Sequence, residues 1–200
     1  MRDIFKNNSK QLFIAIGSYL TVTVPFYALA VFSIAFLNKF VGYGMDEVLF
    51  MNAMVMLILM LVFPISGFLS DRIGRKKIMV TSAVLMALLI YPIFWLMANH
   101  GGYIYAISGL VIFSFLVGFY SGPIPAFLVD LFPAKIRYTG IGLSYNIAAA
   151  LFGGTFPLVA TYLIKQTGML WAPAVVIFVC ALVSLFTLKY YKDPVESAAK

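Results

Sequence analysis

Six long apolar runs divide this 200-residue chain. They cover residues 12–37, 48–69, 78–98, 103–128, 141–164 and 170–188, and none contains Asp, Glu, Lys, Arg or His. A helix needs about 20 apolar residues to cross the hydrocarbon layer of a membrane. With 63% hydrophobic residues, tyrosine included, and only 10% charged ones, the chain is too apolar for a single water-soluble core. The runs therefore predict an all-α integral membrane protein with six transmembrane helices.

Basic residues cluster on alternate sides of these runs. Twelve of the fourteen lysines and arginines fall in the N-terminal segment, in the loops after the second and fourth runs, and in the C-terminal segment. Only Lys39 and Lys165 fall on the other side. The positive-inside rule then predicts a cytoplasmic segment at 1–11, a bundle at 12–188 and a cytoplasmic tail at 189–200. Because these charges flank membrane spans, the net charge of +7 indicates contact with lipid headgroups and no nucleic-acid partner.

The six runs form two triplets of similar length. Since three is an odd number, the second triplet enters the membrane with the opposite orientation, which is the inverted 3+3 arrangement of many transporters. Prolines interrupt or begin the runs, at Pro25, Pro64, Pro92, Pro123 with Pro125, Pro157 and Pro173. An interior proline removes a backbone hydrogen bond and bends a helix. The pattern fits bent helices around a cavity, or simply the abundance of proline in membrane helices.

Small residues recur at four-residue spacing in the fourth and fifth runs. Gly118 and Gly122 form one pair, Gly140 begins a row of small residues, and Gly153 and Gly154 end two more rows. Such rows let two helices approach closely. We expect helix-packing positions here, with a moving gate helix as the alternative.

The loop after the second run places an acidic residue and two glycines among basic residues. It reads Gly67-x-x-x-Asp71-Arg72-x-Gly74-Arg75-Lys76-Lys77. Gly67 permits close helix approach, Gly74 permits a turn with positive φ, and Asp71 can pair with an arginine or a helix N-terminus. An ordinary cytoplasmic loop would explain the basic residues but not the acid and the glycines.

A second stretch runs from Asp130 through Arg137 to Gly140 and continues with Tyr145-Asn146 and Gly153-Gly154. Together the two stretches resemble the major facilitator superfamily of secondary transporters, specifically the metabolite:proton symporter group of proline/betaine and α-ketoglutarate permeases. The resemblance covers essentially the whole chain, read as the C-terminal half of a twelve-helix transporter in the bacterial inner membrane. It implies a partner, either a separate N-terminal six-helix half or a second copy. The family usually has glutamate at the position of Asp130, and the shorter acid still allows a pair with Arg75 or Arg137.

The family layout also implies which side chains face a solute path, because the first and fourth helices of each half line it. The candidates on those helices are Tyr19, Thr23, Tyr27, Tyr120 and Ser121. Tyr145 and Asn146 match family positions near a gate. Tyrosine rings suit quaternary ammonium groups, and hydroxyls and amides suit carboxylates, so both betaine and organic acids fit. The alternative is that these tyrosines pack against neighbouring helices or lie in the interfacial aromatic belt.

Proton coupling requires a titratable group inside the path, and none of the runs contains one. The resemblance therefore implies half of a secondary active transporter for small organic solutes that is proton-coupled through the other half. Neutralising Asp71 or Asp130 is then expected to alter assembly or turnover and not the pH midpoint of uptake. The alternative is a non-transporting remnant, or a structural subunit that needs a second six-helix chain.

Catalytic chemistry is not expected from this chain. It offers no nucleophile beside a base, no paired buried carboxylates and no metal-ligand set, so we predict no enzyme activity, no metal and no cofactor. His100 is expected to be a solvated loop residue.

Overall fold

The structure, a computed structural model, describes residues 8–99 and 102–191. Within these residues all of the regular secondary structure is helical, and there are no strands. Its six apolar helices are α1 Ser9–Val41, α2 Met45–Ile73, α3 Arg75–Asn99, α4 Tyr103–Leu131, α5 Arg137–Thr167 and α6 Ala172–Leu188. The prediction of an all-α fold is confirmed. His100 and the outer parts of the two predicted cytoplasmic segments, 1–7 and 192–200, lie outside the described residues.

Within the described ranges, five helices are long and apolar enough to cross a membrane, and α6 is a shorter apolar helix of 17 residues. Several helices extend beyond the apolar runs at their polar ends. α2 continues past residue 69 to Ile73, and α3 begins at Arg75, ahead of residue 78. Arginine and lysine are good helix formers, so a change from apolar to charged residues does not end a helix.

The helix contacts follow the inverted repeat. α3 packs along α4, and α6 packs along α1. α2 packs on α4, and α5 packs on α1. If α1, α2 and α3 are exchanged with α4, α5 and α6, the α3–α4 contact becomes the α6–α1 contact, and the α2–α4 contact becomes the α5–α1 contact. Two inverted repeats require this correspondence. α1 and α4 are the most buried helices, and α2 and α5 are the least buried.

Three of the proline sites coincide with irregular turns. α1 passes into a π-helical turn, Ala28–Phe32, shortly after Pro25. α4 is broken at Gly122 and Pro123, and α5 is broken after a π-helical turn, Ala149–Gly153, and resumes at Phe156–Thr167 beside Pro157. π-Helical turns often mark functional sites. Helix α2 continues through Pro64 and α3 through Pro92, and Pro173 lies in the first turn of α6, where its missing N–H needs no partner.

Two apolar clusters fill the bundle. The larger one contains edge-to-face ring pairs, with ring centroids 5.4 Å apart for Phe36 and Phe94 and 5.6 Å apart for Phe32 and Phe156. The smaller one lies near the α2–α3 turn and includes Phe127, Phe132 and Tyr191. Many large apolar side chains outside these clusters are exposed, as expected for surfaces that face lipid.

Candidate functional site: a charge network and an aromatic helix face

The α2–α3 turn depends on Gly74. This residue has a φ of 109°, a conformation that strains an L side chain, and its N–H donates to the Ser70 carbonyl over 2.9 Å. α3 begins at the next residue, Arg75. The turn places the Arg75 Nη2 atom 3.3 Å from the Asp71 Oδ1 atom. Gly74 therefore has the positive φ that the motif predicts.

A second carboxylate lies on the other side of Arg75. Nη1 of Arg75 pairs with Oδ2 of Asp130, near the end of α4. The side chains of Arg75 and Asp130 are 18% and 21% exposed, whereas that of Asp71 is 61% exposed. Of the two partners that the sequence allows for Asp130, the structure selects Arg75. Arg137 instead donates its Nε–H to the Phe132 carbonyl over 3.2 Å.

Tyr191, directly after α6, joins this network. Its hydroxyl donates to Oδ2 of Asp130 over 3.2 Å, and its carbonyl accepts a hydrogen bond of 2.8 Å from Nζ of Lys76. Its buried ring lies 4.6 Å from that of Phe127. Tyr191 is not among the residues predicted from the sequence, because it lies in the predicted cytoplasmic tail, 189–200. We call Asp71, Arg75, Lys76, Asp130 and Tyr191 the signature-loop network.

Arg72 lies apart from this network. Its guanidinium carbon is 4.3 Å from the centroid of the Phe68 ring, in a cation–π contact on the preceding helical turn.

α2 and α4 cross at closely packed glycines. A Cβ atom built on Gly122 would lie 2.7 Å from the Phe63 carbonyl oxygen, and one on Gly118 would lie 2.5 Å from Cγ1 of Val62. Ser66 donates to the Phe119 carbonyl over 2.7 Å at the same crossing. Gly67 lies at this crossing too, and a Cβ built on it would make ordinary contact with the Gly122 carbonyl oxygen at 3.6 Å.

The other glycines differ in what they contact. A Cβ on Gly140 would lie 2.7 Å from the Phe132 ring, and one on Gly153 would lie 2.9 Å from the Tyr27 ring. Gly154 is exposed, and a Cβ there would meet only carbonyl oxygens of its own π-helical turn. The structure thus places Gly154 at the end of that turn and not in a helix–helix contact.

Four of the candidate path residues, Tyr19, Tyr27, Tyr145 and Asn146, lie on α1 and α5 with exposed or half-buried side chains, and we call them the α1–α5 face. The rings of Tyr19 and Tyr145 meet edge to face, 5.6 Å apart, and Tyr145 is 49% exposed. Asn146 is exposed and donates from Nδ2 to the Gly142 carbonyl over 2.7 Å. A groove of about 520 Å³ adjoins this face and includes Asn146 in its lining.

The other three candidates lie inside the bundle. Tyr120 is 0% exposed and donates its hydroxyl to the Ser18 carbonyl over 2.9 Å, which fastens α4 to α1. Its neighbour Ser121 is also buried. Thr23 donates to the Tyr19 carbonyl of its own helix and, over 3.4 Å, to the Ala148 carbonyl of α5. All three side chains are buried, so none of them lines an open surface of this bundle.

Two polar contacts between helices have no signal in the sequence. Ser184 of α6 accepts a hydrogen bond of 2.7 Å from Thr21 and donates to the Gly17 carbonyl over 2.6 Å. Nδ2 of Asn52 on α2 donates to the Leu29 carbonyl over 2.9 Å, inside the first π-helical turn of α1. Both residues lie within apolar runs, where nothing in the pattern distinguishes them from packing positions.

Titratable groups are sparse in the described part of the chain. It contains no group of three or more His, Cys, Asp or Glu residues that could hold a metal, and Cys180 is buried and unbonded to another cysteine. In the α1–α2 loop, burial and then the Glu47 carboxylate raise the pKa of Tyr43, so this phenol stays neutral near pH 7.

Comparisons with known proteins agree with this architecture. Residues 11–200 match the sequence model of the Major Facilitator Superfamily. A citrate-proton symporter of Klebsiella pneumoniae is 29% identical over 171 residues, which cover 84% of this chain and 38% of the relative. The glycine betaine/proline/ectoine/pipecolic acid transporter OusA of Dickeya dadantii is 29% identical over 200 residues, which cover 100% of this chain and 39% of the relative.

A third relative, the inner membrane metabolite transport protein YhjE of Escherichia coli, is 34% identical over 148 residues, which cover 72% of this chain and 34% of the relative. The chain thus spans between about a third and two fifths of the length of these curated relatives. All three are named as transport proteins, in agreement with the prediction that the chain is not an enzyme. With its apolar helices, the chain is a multi-pass membrane protein that belongs to the Major Facilitator Superfamily.

Proposed function

We propose that the chain forms one half of a secondary active transporter for small organic solutes, and that its α1–α5 face lines the solute path. One observation carries this proposal. In a chain of this family, an aromatic and amide surface stays open at Tyr145 and Asn146, while Tyr120 and Ser121 of α4 are buried. A solute between two halves would meet the open surface first.

The chemistry of this face suits a zwitterion or a carboxylate. The edge-to-face pair of Tyr19 and Tyr145 offers ring surface to a quaternary ammonium group. The amide of Asn146 has two N–H donors, one of which bonds to the Gly142 carbonyl. The other N–H can donate a hydrogen bond to a carboxylate of the solute. The relatives are named for betaine, proline and ectoine or for citrate, so we propose osmolytes or organic acids as the substrate class.

The second wall of the path would come from another six-helix bundle, either a separate N-terminal half or a second copy. α2 and α5 are the least buried helices, and exposed apolar side chains run along both. Alternating access in such transporters is largely rocking of one bundle against the other. The close crossing of α2 and α4 and the signature-loop network would keep this half rigid during that motion.

Proton coupling would reside in the second bundle, since the acidic side chains of the signature-loop network lie at a helix end and are paired with Arg75. We place this end of the bundle in the cytoplasm and the protein in the bacterial inner membrane, from the distribution of basic residues and the kinship with bacterial transporters.

Uptake measurements test the proposal. Vesicles containing the chain, alone or with an N-terminal six-helix bundle from the same source, would be assayed for radiolabelled glycine betaine, proline and citrate, with and without a pH gradient. We expect uptake of at least one solute when both bundles are present. Absence of uptake in every combination would favour a structural subunit.

A pair of variants tests the face itself. Asn146→Leu removes the amide from the open face, and Gln166→Leu removes an exposed amide near the far end of the same helix. Loss of a hydrogen bond to a charged group corresponds to a drop in uptake of about tenfold or more for Asn146→Leu. Gln166→Leu is expected to match the wild type. Equal effects of the two variants would contradict the placement of the path.

A further inference from the structure

Asn52 is a half-buried amide within α2, and two contacts fix the orientation of its side chain. Its Nδ2 atom donates to the Leu29 carbonyl over 2.9 Å and to Oγ of Ser33 over 3.1 Å. A carbonyl can only accept, so the NH2 edge of the amide faces α1 and the acceptor Oδ1 lies on the other edge. The first π-helical turn of α1, Ala28–Phe32, supplies that carbonyl. The α1 backbone therefore holds the amide in one orientation.

The Oδ1 atom of Asn52 is an open acceptor. Among the residues that the structure describes, no group donates a hydrogen bond to it, and it is not one of the unpaired side-chain atoms that are sealed from solvent. It lies within an apolar run, where polar side chains are costly and often functional. A hydrogen-bond donor from outside this bundle can therefore reach it.

Asn52 and the α1–α5 face border the same open strip of α1. The strip consists of four residues at four-residue spacing, none of them buried: Val22, Phe26, Ala30 and Ile34. Residues four apart share a helix face. Thr23 and Tyr27 each follow a strip residue and contact α5. Leu29 and Ser33 each precede one and contact Asn52. The two borders therefore flank one surface from opposite sides.

The amides on the two borders lie at different depths. Asn52 comes seven residues after the first residue of α2, which is about 10 Å along the helix from the end of the bundle opposite the signature-loop network. Asn146 comes nine residues after the first residue of α5, about 14 Å from the network end. Asn146 offers a spare N–H donor, and Asn52 offers a fixed acceptor. A solute on this surface thus meets a donor towards one end and an acceptor towards the other.

We propose that Oδ1 of Asn52 accepts a hydrogen bond from the positively charged N–H of a zwitterionic solute, and so selects solutes that retain an N–H over quaternary ammonium solutes. This assignment rests on the proposed function, since it places Asn52 on the same solute path. A quaternary nitrogen has no N–H and would leave Oδ1 without a partner in an apolar environment. Sites that hydrogen-bond an N–H of the substrate discriminate strongly against an analogue that lacks it.

Methylated prolines test this selectivity on the unmodified protein. In the vesicles of the uptake assay, unlabelled proline, N-methylproline and N,N-dimethylproline would compete with radiolabelled proline. The three share a ring and a carboxylate, and their zwitterions carry two, one and no N–H. Loss of a hydrogen bond to a charged group corresponds to about tenfold, so we expect N,N-dimethylproline to compete about tenfold more weakly than the other two. Equal competition by all three would overturn the proposal.

A substitution at Asn52 assigns the selectivity to this residue. Asn52→Leu is expected to weaken competition by proline and N-methylproline about tenfold and to leave that by N,N-dimethylproline unchanged, which abolishes the selectivity. A role in packing alone would weaken competition by all three solutes alike, and that result would overturn the proposal.

Asn38→Leu is the matched control. Asn38 is also a half-buried amide whose Nδ2 donates to a backbone carbonyl, that of Tyr43, but it lies at the end of α1. The variant is expected to keep the selectivity of the wild type. Loss of selectivity in Asn38→Leu as complete as in Asn52→Leu would overturn the assignment to Asn52.

The uptake assay separates this assignment from the proposed function. Uptake of glycine betaine or citrate without uptake of proline would leave the solute path standing and overturn the role of Asn52. Absence of uptake for every solute would overturn both.

Discussion

The guanidinium of Arg75, at the first residue of α3, pairs with the carboxylate of Asp130, which lies 55 residues further along the chain near the end of α4. The same carboxylate accepts a hydrogen bond from Tyr191, just after α6. The ends of three helices therefore meet at one acidic side chain. Because both partners are largely shielded from solvent, removal of one would leave the other charge partly buried and unpaired, which costs more than the loss of an exposed ion pair.

Replacing Asp130 with Asn removes the charge and leaves an oxygen that can still accept from Tyr191. We expect the free energy of unfolding to fall by about 1.5–3 kcal/mol, the contribution of a hydrogen bond to a charged group. Asp71→Asn is the control, since the Asp71 side chain is 61% exposed and its loss is expected to cost about 0–1 kcal/mol. Denaturant unfolding in detergent, followed by circular dichroism, measures both. A cost for Asp71→Asn equal to that for Asp130→Asn would refute the ranking.

The same two variants test where protons couple to transport. Both carboxylates lie at a helix end and are paired with Arg75. We expect Asp71→Asn and Asp130→Asn to change the rate of uptake or the yield of assembled protein and to leave the pH midpoint of uptake unchanged. Uptake rates between pH 5 and pH 8 provide the measurement. A displaced midpoint in either variant would place a coupling group in this half.

Substituting Gly122 tests the α2–α4 crossing. Its new Cβ would lie 2.7 Å from the Phe63 carbonyl oxygen, a backbone atom that cannot rotate away. Gly122→Ala is therefore expected to destabilise the bundle by about 1–3 kcal/mol. Gly142→Ala is the matched control, because a Cβ there has no atom within 4 Å. Thermal unfolding of the two variants should separate them, and equal melting temperatures would contradict the close approach.

Two tyrosines distinguish packing from a solute path. Tyr120→Phe deletes a buried hydroxyl that donates to the Ser18 carbonyl, which should cost about 0.5–1.5 kcal/mol of stability. Tyr145→Phe deletes an exposed hydroxyl and is expected to leave stability unchanged. Melting temperatures test this difference. If Tyr145→Phe lowers stability as much as Tyr120→Phe does, Tyr145 is a packing residue and not part of an open face.

The apolar runs predicted the helices because insertion into lipid is a local property of about 20 consecutive residues. The positive φ of Gly74 was also predictable, since glycine is the residue that adopts this conformation without strain in a tight turn between two helices. The faces of the helices were harder to predict. Tyr19 and Tyr120 look alike in the sequence, but the former meets Tyr145 at the open face and the latter lies inside the contact of α4 with α1.

Long-range contacts account for the rest. Tyr191 follows the last apolar run, and only the tertiary fold brings its hydroxyl to Asp130. The choice of Arg75 over Arg137 as the partner of Asp130 likewise depends on how α3 packs along α4. The spacing of these residues along the chain does not indicate either contact.

In the proposed arrangement, the α2–α3 and α4–α5 loops lie on one side of the membrane, the cytoplasmic side. Replacing the single cysteine, Cys180, with serine allows exposed lysines to be changed one at a time to cysteine. Labelling with a membrane-impermeant maleimide in intact cells is the direct measurement. We predict no labelling of Lys77→Cys and Lys135→Cys and rapid labelling of Lys39→Cys and Lys165→Cys. Labelling of Lys77→Cys and Lys135→Cys from opposite sides of the membrane would contradict it.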